Sequence, residues 1–367
     1  MKENYKIGII GATGMVGQRF ITLLHDHPWY TIKALAASSR SAGKKYRDAV
    51  GAKWSMAEEI PANVADMVVY DATADIEKIA AEVDFVFCAV DMKKDEIKAL
   101  EEAYAKAECP VVSNNSAHRH TPDVPMIIPE INPEHLDIIP AQRERLGTKR
   151  GFIAVKSNCS LQSYLPAMAV VNEKYPIDHA LVTTYQAISG AGKTFNTWPE
   201  MVDNLIPYIG GEEMKSEVEP NKILGEIKGG EIVPSNALQI ECQTYRVPVS
   251  DGHTAAIFFS FKDSENKPSV EEIQDMWRNF EGEPQKLNLP HAPKQFLYVY
   301  TEEEAPDQPQ IKTAREIDGG MAISCGRLRE STQFDYKMVS MSHNTLRGAA
   351  GGAVLLAELL TAKGWLD

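Results

Sequence analysis

A glycine-rich segment near the N-terminus, Gly-Ala-Thr-Gly-Met-Val-Gly at residues 11–17, most constrains what this chain can fold into. Residues 5–10 before it are typical of a short buried strand, and residues 17–25 after it are typical of a helix. Glycines at such a junction let the backbone approach a pyrophosphate, and the helix N-terminus supplies N–H donors and positive potential. The alternative is a tight turn in another kind of α/β protein. The strand–loop–helix context favours a dinucleotide site. Its predicted cofactor-binding residues are Gly11, Ala12, Thr13, Gly14, Met15, Val16 and Gly17.

Further apolar runs indicate how the rest of the chain folds. Residues 31–37, 67–70, 83–90 and 110–113 are typical of strands, and residues 95–107 of a helix between them. Short apolar runs that alternate with amphipathic helices predict a parallel, doubly wound sheet. Beyond residue 159 the predicted strands (180–185, 244–249, 254–261 and 296–300) are longer and alternate better, which indicates a mixed or antiparallel sheet in a second domain. Residues 302–309 have the composition of a surface loop.

Composition and charge exclude several classes of protein. The five cysteines show no C-x-x-C spacing, so neither a zinc site nor a redox motif is expected. A net charge of −13 argues against nucleic acid or an anionic membrane as the main partner. The N-terminus lacks a signal-peptide pattern, and no apolar run approaches the roughly 18 residues of a membrane span. We therefore expect a cytoplasmic protein without metal.

The segment after the second predicted strand bears on which dinucleotide binds. An NAD enzyme usually places Asp or Glu about 20 residues past the glycines, on the ribose 2′-OH. Here residues 37–45 read Ala-Ser-Ser-Arg-Ser-Ala-Gly-Lys-Lys, whose hydroxyls and cations suit a 2′-phosphate. The alternative is a solvated basic loop. NADP is favoured over NAD, and its predicted ligands here are Ser38, Ser39, Arg40, Ser41 and Lys44.

A single cysteine in the tetrad Ser-Asn-Cys-Ser, residues 157–160, is a candidate nucleophile. It follows a predicted strand at residues 151–155 and precedes an apolar segment, 161–171, that is typical of a helix. A helix N-terminus lowers a thiol pKa and offers backbone N–H groups to an oxyanion. Most cysteines in such a chain are small buried hydrophobes, however. The assignment of Cys159 therefore depends on other segments.

Two such segments lie downstream. Arg246 lies in a predicted strand, and His253 follows it past a turn at residues 250–252. An arginine can bind a carboxylate through two parallel hydrogen bonds, and a histidine can serve as general base and acid for a thiol or thioester. Either residue can equally be structural. Residues 185–192 form a second glycine-bearing loop, which either holds substrate or nicotinamide or is an ordinary turn.

Together these motifs carry a resemblance. Gly-Ala-Thr-Gly-x-Val-Gly, Ser-Asn-Cys-Ser, Gln-Ala-x-Ser-Gly-x-Gly and Arg-Val-Pro-Val-x-x-Gly-His, in this order, resemble aspartate-β-semialdehyde dehydrogenase. Ser-Ala-His-Arg at 116–119 and the segment 123–132 are similar to the branch common in archaea and fungi. The resemblance runs nearly end to end. It implies that Cys159 is the nucleophile, that His253 is the acid–base residue, that Gln186 orients the reacting carbonyl and that Asn158 stands beside the nucleophile.

The resemblance also implies how ligands are held. Arg246 would bind the substrate α-carboxylate, Arg119 the inorganic or acyl phosphate, Glu212 the substrate ammonium, and Lys215 would be a second phosphate ligand. An exposed charged helix is the alternative for the last two residues. Positions near the nicotinamide are Ser189, Gly190 and Asn344. Because Asn344 is predicted to begin the last helix, at 345–363, that helix is expected to return to the first domain.

These residues imply a reaction and an architecture. The resemblance implies NADPH-dependent, reversible reductive dephosphorylation of L-aspartyl-4-phosphate to L-aspartate-4-semialdehyde through a Cys159 thioester, in lysine, threonine and methionine biosynthesis. It also implies a homodimer or homotetramer. We expect an α/β chain with an N-terminal Rossmann-type NADP-binding domain at 1–157. An α+β catalytic and dimerisation domain with a mixed sheet is expected at 158–343, and a returning C-terminal helix at 344–367.

Other functions remain open at this point. N-acetylglutamyl-phosphate reductase and malonyl-CoA reductase share the plan and differ in the substrate pocket; Glu-Glu-x-Lys at 212–215 and the cysteine tetrad favour the aspartyl substrate over the first. Glyceraldehyde-3-phosphate dehydrogenase is disfavoured because its Ser-Cys-Thr-Thr-Asn motif is absent. A non-catalytic NADP-sensing regulator with a short-chain dehydrogenase fold is disfavoured because no tyrosine is followed four positions later by lysine.

Overall fold

The computed structural model describes residue 2 and residues 4–301 and 308–367. Most of the predicted surface loop at 302–309 therefore lies outside the described residues. Two seven-stranded sheets organise the described part, together with a separate two-stranded hairpin.

The first sheet is entirely parallel. Its strands are β1 (Tyr5–Ile10), β2 (Tyr30–Ala37), β3 (Val69–Asp71), β4 (Phe85–Cys88), β5 (Val111–Ser113), β6 (Met126–Ile127) and β7 (Ile153–Lys156). The helices that accompany them are α1 (Met15–Leu24), α2 (Tyr46–Val50), α3 (Ala62–Ala65), α4 (Ile76–Glu82), α5 (Lys94–Lys106) and α6 (Ile139–Leu146). The strand order is β3-β2-β1-β4-β5-β7-β6. Because helices cover both faces, strands such as β4 are buried throughout, which explains their unbroken apolar sequences.

The second sheet mixes parallel and antiparallel neighbours, in the order β14-β15-β16-β13-β8-β12-β9. Its strands are β8 (Ile177–Gln186), β9 (Ile206–Pro207), β12 (Gln239–Arg246), β13 (His253–Phe261), β14 (Leu297–Val299), β15 (Ile323–Glu330) and β16 (Tyr336–Ser342), and the hairpin is β10 (Glu226–Lys228) with β11 (Glu231–Val233). The helices of this part are α7 (Leu165–Lys174), α8 (Glu212–Ile223), α9 (Val270–Asn279), α10 (Glu283–Lys286), α11 (Ile311–Ala314) and α12 (Ala350–Ala362). The predicted fold class, a Rossmann-type parallel sheet followed by a mixed-sheet α+β part, is confirmed.

Most predicted elements differ from the observed ones by one to three residues at an end, and three of the differences have a clear structural cause. The strand predicted at 244–249 begins earlier and ends at Arg246, since Pro248 has no N–H to donate to a ladder. The helix predicted at 161–171 is a 3₁₀ turn, Leu161–Ser163, followed by α7, whose start is set by Pro166 in its first turn. The last helix begins at Ala350 rather than at Asn344, because residues 343–349 form tight turns in which Gly348 N–H bonds to the His343 carbonyl.

The C-terminal helix α12 belongs to the first of two buried cores. Its side chains pack with those of α1 and with the first sheet, in a cluster that includes Phe20, Phe87 and Val354. The other cluster joins the opposite face of the first sheet to α7, α9 and the second sheet, and includes Val86, Ile257 and Trp277. The domain bounds at residues 157 and 343 stay a proposal; β7 ends at Lys156, directly before the first of them.

No helix in the described ranges has the length and apolarity needed to cross a lipid bilayer.

Candidate active site

The predicted catalytic and substrate-binding residues lie together where strands of both sheets end. Cys159 follows β7 of the first sheet, and His253 begins β13 of the second. Gln186 ends β8 and Arg246 ends β12, and these two residues are direct partners in the parallel β8–β12 pair. Parallel strands end at the same edge of a sheet, so their last side chains project into the same region.

Cys159 and His253 are in contact. The Cys159 Sγ lies 3.5 Å from Nε2 of His253. On the other side of the fully buried ring, the backbone N–H of Ala187 donates to Nδ1 at 3.1 Å. Because Nδ1 accepts a hydrogen bond, the neutral ring carries its proton on Nε2, facing the sulfur. Burial, reinforced by the positive charge of Arg246, lowers the pKa of His253 to about 3. His253 is therefore a neutral hydrogen-bond donor to the sulfur.

The thiol of Cys159 does not have the lowered pKa that the sequence predicted. Burial raises the pKa of Cys159, and the carboxylate of Glu212 adds to the rise, whereas Lys156, Arg119 and Arg246 oppose it. The predicted helix N-terminus is not at this position, since α7 starts only at Leu165. Without that helix end, desolvation of the thiolate dominates.

A carboxylate connects the residues on one side of the nucleophile. Glu212, at the start of α8, accepts hydrogen bonds from Asn158 Nδ2 at 3.0 and 3.2 Å and from Gln186 Nε2 at 3.5 Å. Lys215, one turn along the helix, forms an ion pair with it at 2.6 Å. Burial raises the pKa of Glu212, but Lys215 and Asn158 outweigh this and leave it below its usual range. The buried carboxylate is therefore ionised, and Lys215, Asn158 and Gln186 hold it in place.

Arg246 lies next to His253. Its Nη1 donates to the Ala187 carbonyl at 2.7 Å, which orients the guanidinium next to His253. The second glycine loop covers both residues: a Cβ on Gly190 would lie 2.8 Å from Arg246 Nη1 and 3.1 Å from Cε1 of His253. The predicted substrate arginine and the predicted nicotinamide loop are thus in direct contact.

Arg119 lies in the wall behind the nucleophile. Its guanidinium pairs with Glu219 at 3.0 Å and donates from Nε to the Lys156 carbonyl at 3.1 Å. Glu219 in turn accepts the backbone N–H of Asn158 at 2.8 Å. In this structure Arg119 therefore positions the cysteine tetrad, and its predicted contact with phosphate stays a prediction.

The glycine-rich loop has the shape that a pyrophosphate needs. Gly11 has φ +93°, and a Cβ there would overlap the Ala89 carbonyl; a Cβ on Gly17 would overlap the Gly11 carbonyl. Helix α1 begins at Met15, just past the loop, at the point where the strand order reverses between β1 and β4. A dinucleotide is expected at such a reversal, so these residues fit one.

The other predicted cofactor residues surround this loop. Ser38, Ser39, Arg40 and Lys44 are exposed after the end of β2, and Ser41 is half-buried beside them. Asn344 donates to the Ser189 hydroxyl at 2.9 Å and accepts from the Gly252 N–H at 2.7 Å, so it fixes Ser189 next to the turn that precedes His253.

Sequence reasoning missed three neighbours of the nucleophile: Lys156, Glu219 and Gly348. Of the three, only Lys156 could have been found from the sequence, because it directly precedes the cysteine tetrad. A Cβ on Gly348 would lie 2.9 Å from the Cβ of Cys159, although 189 positions separate the two residues (348 − 159). Contacts of this kind are set by the tertiary fold alone.

Comparison with known proteins places this arrangement in a family. Residues 6–139 match the family model described as "Semialdehyde dehydrogenase, NAD binding domain", and residues 168–347 match "Semialdehyde dehydrogenase, dimerisation domain". The aspartate-semialdehyde dehydrogenase of Candida albicans is 43% identical over 98% of both chains. That of Methanothermobacter thermautotrophicus is 42% identical over 96% of this chain and 98% of its own. The crystal structure of the Candida albicans enzyme with NADP superposes with a TM-score of 0.88, at 40% identity and 99% coverage of both chains.

Proposed function

Because this chain belongs to the aspartate-semialdehyde dehydrogenase family, we propose that it catalyses the NADPH-dependent reductive dephosphorylation of L-aspartyl-4-phosphate to L-aspartate-4-semialdehyde. The observation that carries the proposal is the contact between Cys159 and His253, with the charges of Glu212 and Arg246 both acting on the thiol. A nucleophile, an N–H donor, an anionic group and a cationic group match the thioester chemistry and the amino-acid substrate.

Cys159 opens the reaction. As a thiolate it attacks the acyl carbon, a C–S bond forms, the C–O bond to phosphate breaks, and an acyl-enzyme results. The Glu212 carboxylate receives the substrate ammonium, and Arg246 binds the α-carboxylate through its planar guanidinium. Arg119 and Lys215 act on the leaving phosphate as nearby cations.

His253 acts on the oxygen of the acyl group. The glycine loop and Arg40 would hold NADPH, which would supply the hydride that reduces the thioester. Charge then develops on the former carbonyl oxygen, and the Nε2–H of His253 is the donor that stabilises it, whereas the Asn158 and Gln186 amides hold Glu212. Collapse of this oxyanion breaks the C–S bond and releases the aldehyde and the Cys159 thiolate, so no proton has to leave the ring.

The experiment that tests the proposal runs the reaction in reverse. Purified protein is given L-aspartate-4-semialdehyde and NADP, with and without inorganic phosphate, and NADPH absorbance is followed. Phosphate-dependent reduction of NADP is expected. Absence of turnover with this aldehyde, combined with reduction of malonyl-CoA by NADPH, would assign the site to the malonyl-CoA alternative instead.

Replacing the two cations after β2 is expected to change the choice of cofactor. In the double variant Arg40→Ala, Lys44→Ala the 2′-phosphate of NADP loses both of its predicted charged partners. The uncharged 2′-OH of NAD forms no ion pair with either residue, so its binding is little affected. The KM for NADP should rise about tenfold or more with the KM for NAD little changed, since charge-assisted bonds contribute about 1.5–3 kcal/mol. Steady-state kinetics with both cofactors measure this. An unchanged ratio of the two KM values would show that residues 38–44 do not bind the 2′-phosphate.

The chain is an oligomer-forming member of its family, through the dimerisation domain at 168–347, and we propose a homodimer. One face of the second sheet packs on α7 and α9, and the other carries half-exposed or exposed apolar side chains. On that face Leu181 is the direct partner of Phe258, and Tyr185 stacks on Tyr245 with ring centroids 5.9 Å apart. Such a surface is typical of a two-fold interface.

The oligomeric state has a direct measurement. Light scattering on the purified protein is expected to give about twice the 40.6 kDa of one chain. The variant Leu181→Asp, which places a charge in the middle of the apolar face, is expected to shift the mass towards one chain. A wild-type mass of one chain would contradict the proposal, and a mass four times that of the chain would replace it with a tetramer. A cytoplasmic location stays a prediction.

A further inference from the structure

A buried lysine stands three residues before the nucleophile and takes no part in the chemistry above. Lys156 is the last residue of β7, a strand whose four side chains are all buried. Only 3% of its surface is exposed. A lysine ammonium has three protons to donate, and burying it costs free energy unless acceptors or an anion compensate.

The ammonium of Lys156 is poorly compensated. Among the described residues its one hydrogen-bond acceptor is the Gly348 carbonyl, and it forms no ion pair within 4 Å. The other deeply buried lysine of the chain provides the contrast: Lys222 donates to the carbonyls of Arg119, Thr121 and Val124 at 2.9, 2.6 and 2.7 Å. Lys222 therefore has the full set of acceptors that a structural lysine needs, and Lys156 does not.

Gly348 links Lys156 to the nucleophile. Its carbonyl accepts a hydrogen bond from Lys156 Nζ, and a Cβ on Gly348 would lie 2.9 Å from the Cβ of Cys159. The two side chains therefore contact the same residue from two sides. The positive charge of Lys156 lowers the pKa of the Cys159 thiol, and so favours a negative charge on the sulfur.

Of the other cations near the thiol, Arg246 also favours the thiolate, but it donates to the Ala187 carbonyl and is assigned to the substrate carboxylate. Arg119 is paired with Glu219, and the neutral ring of His253 cannot supply an imidazolium while Ala187 N–H occupies its Nδ1. The negative charge of Glu212 raises the pKa of Cys159 and so disfavours the thiolate. The titratable and charged groups that act on the thiol or on the Lys156 ammonium are Lys156, Cys159, Arg119, Arg246, Glu212, Glu219 and His253.

We propose that the Lys156 ammonium is the counter-charge that stabilises the Cys159 thiolate, in place of the imidazolium that cysteine–histidine pairs commonly use. Lys156 is then a positioning residue, which acts on the substrate only through the sulfur. Burial lowers the pKa of Lys156 to about 7, and the attraction to Cys159 opposes that shift. Since each charge stabilises the other, the two groups titrate as a pair.

The test measures the acidity of the thiol directly. The other four cysteines are buried, so the rate of alkylation by iodoacetamide reports Cys159 alone. This rate is followed against pH for the wild type and for Lys156→Met. Loss of the Lys156 charge is expected to raise the midpoint, the pH at which alkylation of Cys159 is half-maximal, by about one unit or more. Alkylation at neutral pH is then expected to be about tenfold slower.

Two further variants separate charge from packing. Lys156→Gln keeps a donor for the Gly348 carbonyl and is expected to show the same rise, whereas Lys222→Met removes the other buried ammonium and is expected to lower the melting temperature without moving the midpoint. A midpoint that stays at the wild-type value in both Lys156 variants, or that moves equally in Lys222→Met, would overturn the proposal. The inference takes Cys159 as the nucleophile of the proposed function, but alkylation needs no substrate. Failure of the turnover assay and failure of this titration are therefore distinguishable.

Discussion

The variant Cys159→Ser is expected to lose phosphate-dependent reduction of NADP, with kcat lower by about 10⁴-fold or more. Serine keeps the size of the side chain and its place beside His253. Its hydroxyl, however, remains protonated in a site where no base is free, because the neutral ring of His253 offers an N–H rather than a lone pair to the nucleophile. Steady-state kinetics with L-aspartate-4-semialdehyde, NADP and phosphate measure the loss.

Two controls make this result specific. Binding of NADP by Cys159→Ser, followed by fluorescence or calorimetry, is expected to match the wild type, since the substitution changes none of the predicted cofactor residues. Cys109→Ala alters a buried core thiol before β5 and is expected to retain turnover. Appreciable turnover by Cys159→Ser would show that the reaction does not pass through a Cys159 thioester.

Replacing His253 by alanine is expected to lower kcat by about 10²–10³-fold, the usual cost of one donor to a developing oxyanion. The more informative variant is His253→Gln, whose amide N–H can still donate towards the sulfur and the substrate oxygen but cannot exchange protons. If His253 works as a donor, as its hydrogen bond from Ala187 indicates, glutamine should recover much of the activity that alanine loses. Equal losses in the two variants would instead identify His253 as a general base.

The pH dependence of turnover checks the same point. Burial, with the Arg246 charge as a second cause, lowers the pKa of His253 from 6.5 to about 3, so the neutral donor form is present at every pH above that value. The profile of kcat/KM for the wild type should therefore contain no acid limb near 6.5 that disappears in His253→Gln. Such a limb, present in the wild type and absent from the variant, would show that the ring titrates in its ordinary range.

The sequence predicted the first sheet well because its strands are buried on both faces. An unbroken apolar run such as Phe85–Cys88 has few alternatives, and the glycine loop locates the first strand and helix. The predicted ends of strands were less accurate, since a strand ends where its neighbouring strand no longer supplies a hydrogen bond. The strand before Pro248 illustrates this: it ends where its ladder with β8 ends, at Arg246.

The environment of Cys159 was not readable from the sequence. The apolar run from Leu161 suggests a helix end beside the cysteine, yet Pro166 delays α7 and leaves a 3₁₀ turn between them. The thiol is then governed by burial and by charges from distant parts of the chain. Glu219 lies exactly 100 residues after Arg119, and no local pattern connects the two. The same holds for Gly348, whose contact with Cys159 forms only when the C-terminal segment packs against the first sheet.

The most direct test of the central claim is a rapid-mixing measurement of NADPH formation without phosphate. Enzyme with NADP is mixed with L-aspartate-4-semialdehyde, and phosphate is added after the first phase. We expect a burst equal in amount to the Cys159 thiols as the acyl-enzyme accumulates, then a stop, then steady turnover once phosphate attacks the thioester. Steady turnover from the start without phosphate, or a burst of the same size in Cys159→Ser, would contradict the central claim.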